Sequence, residues 1–219
     1  MELFLDTANL EDIGKANDLG IIDGVTTNPV LLSRESLGYR DGIGSIISLM
    51  GERKVFAQVL ASDVETICRE ARELASWGPN MVIKLPISLE GIKAVSRLKK
   101  DGIPTCVTLI YTAPQAVLAA QAGAQYVAPF IHRGYEAGLD GMALTETICK
   151  TFAAGGLGCK VLAASLRTSV DVVRAVQAGS QAITLPYAVL CSMVDNSCST
   201  ATLNAFMDMW ESKNAGDIF

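Results

Sequence analysis

Short runs of β-branched and apolar residues alternate with longer stretches of helical apolar spacing along the whole chain. Strand-like runs fall at Glu2–Asp6, Gly24–Thr27, Val55–Val59, Met81–Leu85, Thr105–Thr108, Tyr126–Phe130, Lys160–Ala164 and Ala182–Leu185. Between them, apolar residues recur at the spacing that puts them on one side of a helix. Val64, Ile67, Cys68, Ala71, Leu74 and Ala75 do so between Val64 and Trp77. Leu89–Lys99, Ala113–Gln121, Leu144–Ala153 and Val170–Gln177 read the same way, and Gly or Pro marks most junctions. Repeated strand–helix units of roughly 27 residues predict parallel strands joined by crossover helices. An open doubly wound sheet usually carries a Gly-rich nucleotide loop after its first strand. Here Asp6-Thr7-Ala8-Asn9 stands in that place, and no G-x-G-x-x-G or Walker pattern occurs. The expected fold is therefore α/β, a (β/α)8 TIM barrel, with residues 1–219 as one domain. Leu203, Phe206, Met207 and Trp210 add a helix at about 200–213, whose apolar stripe covers either the barrel wall or a neighbouring subunit.

Composition supports this reading. Half of the 219 residues are hydrophobic and 19% are charged, enough apolar material for a large core. The net charge of −5, with no basic block, argues against nucleic-acid binding. No apolar run approaches the roughly 18–20 residues that span a bilayer, and the N-terminus lacks a signal-peptide pattern. A cytoplasmic location is expected. The six cysteines show no C-x-x-C spacing and His132 is the single histidine, so a zinc site is not expected and cysteine serves as a small hydrophobe.

In such barrels the catalytic groups gather where strands end at the C-terminal face. That rule selects Asp6, the Thr26-Thr27-Asn28 run, Gln58, Lys84, Thr108, Phe130, Arg133, Ser165 and Arg167. Taken singly, Thr27, Thr108 or Ser165 also fits a plain junction between strand and water. Lys84 is different, because it lies within Met-Val-Ile-Lys-Leu-Pro-Ile. It either snorkels to solvent or projects into the barrel mouth, where an incompletely hydrated amine is a usable nucleophile toward a carbonyl. Asp6 offers a carboxylate for proton transfer, Thr108 and Gln58 can hold a water, and Asn28 can bind substrate hydroxyls. Arg133, Arg167 and Ser165 combine two guanidinium forks with a hydroxyl, an arrangement suited to an anion.

Gly24-Val-Thr-Thr-Asn-Pro-Val30 resembles the G-V-T-T-N-P-S segment of the transaldolase and fructose-6-phosphate aldolase family. Leu5-Asp-Thr-Ala8, Val82-Ile-Lys-Leu-Pro86, Gly123-Ala-Gln-Tyr-Val-Ala-Pro-Phe130 and Val161-Leu-Ala-Ala-Ser165 resemble it too, in order, and the likeness runs from residue 2 to about 211. The resemblance implies a (β/α)8 barrel performing class I chemistry without metal or cofactor. It implies Lys84 as the Schiff-base lysine, Asp6 as the acid–base carboxylate, and Gln58 and Thr108 around a catalytic water. It places Asn28 and Ser165, with Thr26 and Thr27 beside Asn28, at the dihydroxyacetone part of the substrate, and Arg133 and Arg167 at the phosphate. It also implies sugar phosphates as ligands and ring-shaped homo-oligomers, often decamers, with the C-terminal helix on a neighbour.

The family divides into transferases that store the three-carbon intermediate and lyases that release it. Phe130 and Arg167 resemble the transaldolases; Gln58 and Ala128 resemble the aldolases. Phe130 bears most directly on the lifetime of the intermediate, since it can neither donate a proton nor hold water, so a transaldolase is expected and an aldolase is the alternative. A non-catalytic sugar-phosphate-binding barrel is a third reading, opposed by the presence of every reactive group. His132 reads as a loop histidine or as a contact to the anionic tail of the substrate, including a tail such as a sulfonate.

Overall fold

The computed structural model describes residues 1–213; the last residues of the expected domain, 214–219, lie outside them. Eight strands form a closed barrel in sequence order: β1 (Glu2–Asp6), β2 (Gly24–Thr26), β3 (Lys54–Gln58), β4 (Met81–Pro86), β5 (Thr105–Ile110), β6 (Tyr126–Pro129), β7 (Lys160–Ala163) and β8 (Ala182–Leu185). All neighbours pair in parallel, and β1 closes the ring against β8. The main crossover helices are α1 (Leu10–Asp18), α3 (Tyr39–Met50), α4 (Val64–Ser76), α5 (Leu89–Lys100), α6 (Ala113–Ala122), α8 (Gly141–Gly155) and α9 (Ser169–Gln177). Short helices α2 (Pro29–Leu32), α7 (Ile131–Glu136) and α10 (Tyr187–Ser192) follow β2, β6 and β8 directly, and α11 (Ser197–Lys213) ends the described chain. The expected eight-stranded barrel is the observed one. No helix among the described residues is long and apolar enough to cross a membrane.

Successive side chains of a strand point to opposite faces, and this alternation divides the core into two layers. Leu5, Val25, Val55, Ala57, Ile83, Leu85 and Val107 face outward and pack against the helices. Phe4, Phe56, Val82, Cys106, Tyr126, Leu162 and Ala182 face inward and fill the lumen. The rings of Phe4 and Phe56 meet edge to face at 4.9 Å between centroids, and those of Phe56 and Tyr126 at 5.2 Å. One glycine of the resembling motif is forced by this closure. A Cβ on Gly24, at φ +155°, would lie 2.0 Å from the Lys54 carbonyl oxygen of the adjoining strand.

Below the aromatic layer the lumen is closed by charge. The Tyr126 hydroxyl donates to the Glu2 carboxylate at 2.8 Å, and Lys54 and Lys160 pair with the same carboxylate, Lys160 at 3.1 Å. Burial alone would raise the Glu2 carboxyl, but hydrogen bonds from Lys54, Tyr126 and Lys160 outweigh it and hold the group below the usual carboxylate range. Burial, and then the Glu2 carboxylate, push the Tyr126 hydroxyl upward, so it remains a donor.

Helix α11 begins at Ser197, earlier than the expected 200, and Leu203, Phe206, Met207 and Trp210 are all exposed. The stripe does not cover this chain's own barrel wall. The cysteines Cys68, Cys106, Cys149 and Cys159 are buried free thiols, whereas Cys191 and Cys198 are exposed. Burial pushes the thiols of Cys106 and Cys159 up to about 12, so they stay protonated and pack as small apolar groups.

Because the Glu2 carboxyl is depressed, its contribution to stability is present above roughly pH 4.5 and is lost as pH falls through the folded-state value. Glu2→Gln should lower stability at pH 7 by about 1–2 kcal/mol. It should also flatten the acid dependence below pH 5. Urea unfolding of both proteins between pH 3 and 7 checks this, and parallel acid profiles would refute it.

Candidate active site

At the opposite end of the lumen, a cavity of about 390 Å³ opens at the C-terminal ends of the strands. Strand alternation determines which side chains reach it. Phe56 pairs with Val82 in the lumen layer, so two residues on, Gln58 and Lys84 point inward as a register pair. Asp6 pairs with Thr26 by the same rule above Phe4. Thr108 follows inward-facing Cys106 by the same rule, whereas Leu109 reaches the cavity through an irregularity: the β5–β6 register shifts between Val107 and Ile110, and Leu109 adopts φ +63°.

Lys84 is 7% exposed, and its Nζ donates to the Thr27 carbonyl oxygen at 2.8 Å. The Thr27 hydroxyl donates to the Phe56 carbonyl at 2.7 Å, so this residue serves the site through its backbone. Its neighbour Thr26 faces the cavity and donates to Asp6 Oδ1 at 2.8 Å. Asn28 caps α2, its Oδ1 accepting from the Leu31 N–H at 3.0 Å, while the residue also lines the cavity. The Tyr39 hydroxyl holds the Gln58 carbonyl at 2.6 Å; burial pushes that hydroxyl up to about 12, which keeps it a donor. The Thr108 hydroxyl is buried without a hydrogen-bond partner among the described residues. In a polar cavity such an atom is a position for a water or a substrate group.

The loops after β6 and β7 bring up the cationic side. Phe130, Arg133, Ser165 and Arg167 all line the cavity, and the Arg133 guanidinium lies 5.7 Å over the Phe130 ring. Ser165 holds φ +61°. Leu109 and Ser165 are the non-glycine residues with positive φ among the described residues, and both line the cavity. Backbone strain of this kind persists where surrounding structure enforces it, commonly at functional sites.

His132 is placed elsewhere. Its Nε2 lies 3.1 Å from Asp171 Oδ2, its ring meets Tyr135 edge to face, and it is not among the lining residues. Asp171 Oδ2 also accepts the N–H groups of Arg167 and Thr168, completing the cap of α9. Burial would raise the Asp171 carboxyl, but these bonds and the adjacent His132 hold it below the usual range. Glu136 pairs with Arg167 at 2.6 Å, so α7 meets the loop after β7 at Arg167 and the first turn of α9 at Asp171. Lining residues that the sequence reading did not single out include Arg34 beyond α2, the strained Leu109, and Thr184 on β8. Thr184 had a signal, since it shares the inward parity of Ala182. Leu109 had none, because a bulge is invisible in residue spacing.

The family profile for transaldolase/fructose-6-phosphate aldolase matches residues 3–218. The chain belongs to that family. Among curated relatives, a probable transaldolase of Clostridium botulinum (strain Eklund 17B / Type B) is 42% identical over 98% of this chain and 100% of its own length. One from Exiguobacterium sibiricum is 42% identical over 96% and 98%, and one from Methanococcus maripaludis 41% over 96% and 98%. Solved structures similar in fold include a mandelate oxidase variant with an FMN adduct, at TM-score 0.62 and 15% identity over 84% of this chain. A lactate oxidase of Pediococcus acidilactici gives 0.59 and 16% over 84%. The chain spans 64% and 62% of those two chains, and at such identity the likeness concerns the barrel alone.

Asp171→Ala removes the acceptor shared by two loop N–H groups and His132. It should cost about 1–2 kcal/mol, a fall in melting temperature of about 3–6 °C for a chain of this size. Circular dichroism melts at pH 7 check this, and an unchanged melting temperature would show that the tie carries no stability.

Proposed function

We propose that this barrel is a transaldolase, moving a dihydroxyacetone unit from a ketose 6-phosphate to an aldose phosphate through a Schiff base on Lys84. The observation that carries the reading is the placement of Lys84. The residue is buried inside the lumen, its nitrogen is held by a neutral carbonyl rather than a carboxylate, and Asp6 lines the same cavity. Once its extra proton has passed to solvent, the amine adds to the substrate ketone, and loss of water leaves an iminium. Asp6 takes the proton from the hydroxyl two carbons away from the iminium carbon. The intervening carbon–carbon bond then breaks, its electron pair enters the iminium to form an enamine, and the aldehyde phosphate departs. In the return step the enamine carbon attacks the acceptor aldehyde, whose oxygen recovers the proton from Asp6. Water then hydrolyses the new iminium.

Asn28, already fixed by its capping bond, is suited to the hydroxyls of the retained unit, and the Thr108 hydroxyl and Gln58 to the water of imine hydrolysis. Arg133, Ser165 and Arg167 are suited to the phosphate. The sulfonate option rested on His132, which faces Asp171, so phosphate is the tail we favour. Phe130 offers the enamine an apolar wall with no hydroxyl, which favours storage over release; the names of the curated relatives agree. Gln58 and Ala128 keep the aldolase as the second reading. For assembly, the exposed stripe of α11 fits packing on a second copy within a homo-oligomer, and a cytoplasmic location goes with this metabolism.

Enzyme mixed with excess fructose 6-phosphate and no acceptor should release about one equivalent of glyceraldehyde 3-phosphate per active site and stop. Borohydride should then trap a three-carbon adduct that Lys84→Met abolishes. Continued turnover would mean a lyase, and no adduct would mean a binder. Phe130→Tyr should raise acceptor-independent dihydroxyacetone release severalfold over wild type, read by a coupled reductase assay. An unchanged rate would remove Phe130 from the control of intermediate lifetime.

A further inference from the structure

We propose that Thr184 is a positioning residue for Asp6 and acts on it through Thr26. This rests on the reading of Asp6 as the proton-transferring group. Asp6 stands on β1 between Thr26 on β2 and Thr184 on β8. Thr26 Oγ1 lies 2.8 Å from Asp6 Oδ1 and 2.6 Å from Thr184 Oγ1. Both threonines are almost fully buried, at 1% and 3% exposure, and both line the cavity.

A hydroxyl has one proton to give. Thr26 gives its proton to the Asp6 carboxylate, so the short contact to Thr184 has Thr184 as donor. The result is a directed chain, Thr184 to Thr26 to Asp6 Oδ1, in which each bond strengthens the next. The buried hydroxyls of Thr27 and Thr145 donate to backbone carbonyls, those of Phe56 and Gly141. Thr184 instead bonds a side chain that already holds the carboxylate. The chain fixes the plane of the carboxylate and engages one oxygen. Oδ2 makes no hydrogen bond among the described residues and is left to meet the substrate hydroxyl. When Asp6 takes a proton on Oδ2, Oδ1 becomes the carbonyl oxygen of the acid and still accepts from Thr26, so the same chain holds both forms of the acid–base cycle. This is the logic of a base oriented by a third group, extended by one hydroxyl. The charged groups lining the same cavity are Arg34, Lys84, Arg133 and Arg167, and none of them forms an ion pair with Asp6 among the described residues.

Steady-state transfer should be measured for Thr184→Val, Thr184→Ser, Thr26→Val, the double Thr26→Val/Thr184→Val variant and Asp6→Asn. Loss of one link toward a charged group is expected to lower kcat of Thr184→Val about five- to tenfold, with KM within about twofold. Thr184→Ser should recover most of the loss, and the double variant should be no slower than Thr26→Val alone. Thr184→Ala serves the same comparison if Thr184→Val does not fold. Wild-type kcat in Thr184→Val, equal losses in the Val and Ser variants, or additive losses in the double variant would overturn the role while leaving Asp6 in place. Wild-type kcat in Asp6→Asn would instead overturn the underlying reading of Asp6, and the positioning role with it.

Discussion

A lysine enclosed in a barrel lumen needs an acceptor for its nitrogen, and the nature of that acceptor governs the rest of this site. The Thr27 carbonyl supplies it at 2.8 Å. A carboxylate in the same position would bind the ammonium as a desolvated ion pair, costly to separate and slow to yield a neutral amine. A carbonyl holds the side chain in position without that strong charge pairing. The one carboxylate that lines the cavity among the described residues, Asp6, is engaged on the Thr26 hydroxyl, so Lys84 and Asp6 share a cavity while remaining separate groups. The capping bond of Asn28 and the Thr27 hydroxyl bond to Phe56 secure the segment that presents the carbonyl.

The two ends of the lumen divide the tasks. At the N-terminal end, Glu2, Lys54, Lys160 and Tyr126 form a fully partnered charged floor beneath interlocking aromatic rings. That end is packed for stability. At the C-terminal end the register of β5 slips, Leu109 and Ser165 take left-handed backbone angles, and the Thr108 hydroxyl has no hydrogen-bond partner among the described residues. A rigid floor lets the mouth hold these unfavourable features, since the eight-stranded ring over-determines the backbone around them. His132 joins α7 to Asp171 at the start of α9, behind the loop that carries Arg167, and Asp171 in turn accepts the N–H groups of Arg167 and Thr168.

Much of this was readable along the chain. The strand runs, their inward parity and the polar residues at their ends depend on local alternation, which is why Asp6, Gln58, Lys84 and Thr108 converge as the pattern expects. Where an outcome depended on direction rather than parity, the pattern fell short. Thr26 and Thr27 both stand at the end of β2, yet one hydroxyl enters the cavity and the other turns to a backbone carbonyl. His132 adjoins Arg133 in sequence but lies about a third of a helical turn around α7, on the side of Asp171. The α11 stripe was evident from its spacing, whereas only folding showed that this chain's own barrel leaves it uncovered.

The sequence by itself determined the eight alternating units and the polar side chains at the strand ends, because these follow from periodicities of two and 3.6 residues, and the lack of a Gly-rich nucleotide loop pointed to the closed barrel. The tertiary structure alone decided which carbonyl holds Lys84, which oxygen of Asp6 is engaged, and that Thr184 completes a chain of hydroxyls across β1. Those contacts join residues 57, 20 and 158 positions apart. They arise when barrel closure and strand stagger bring distant strands to one level, a geometric relation that no local pattern encodes.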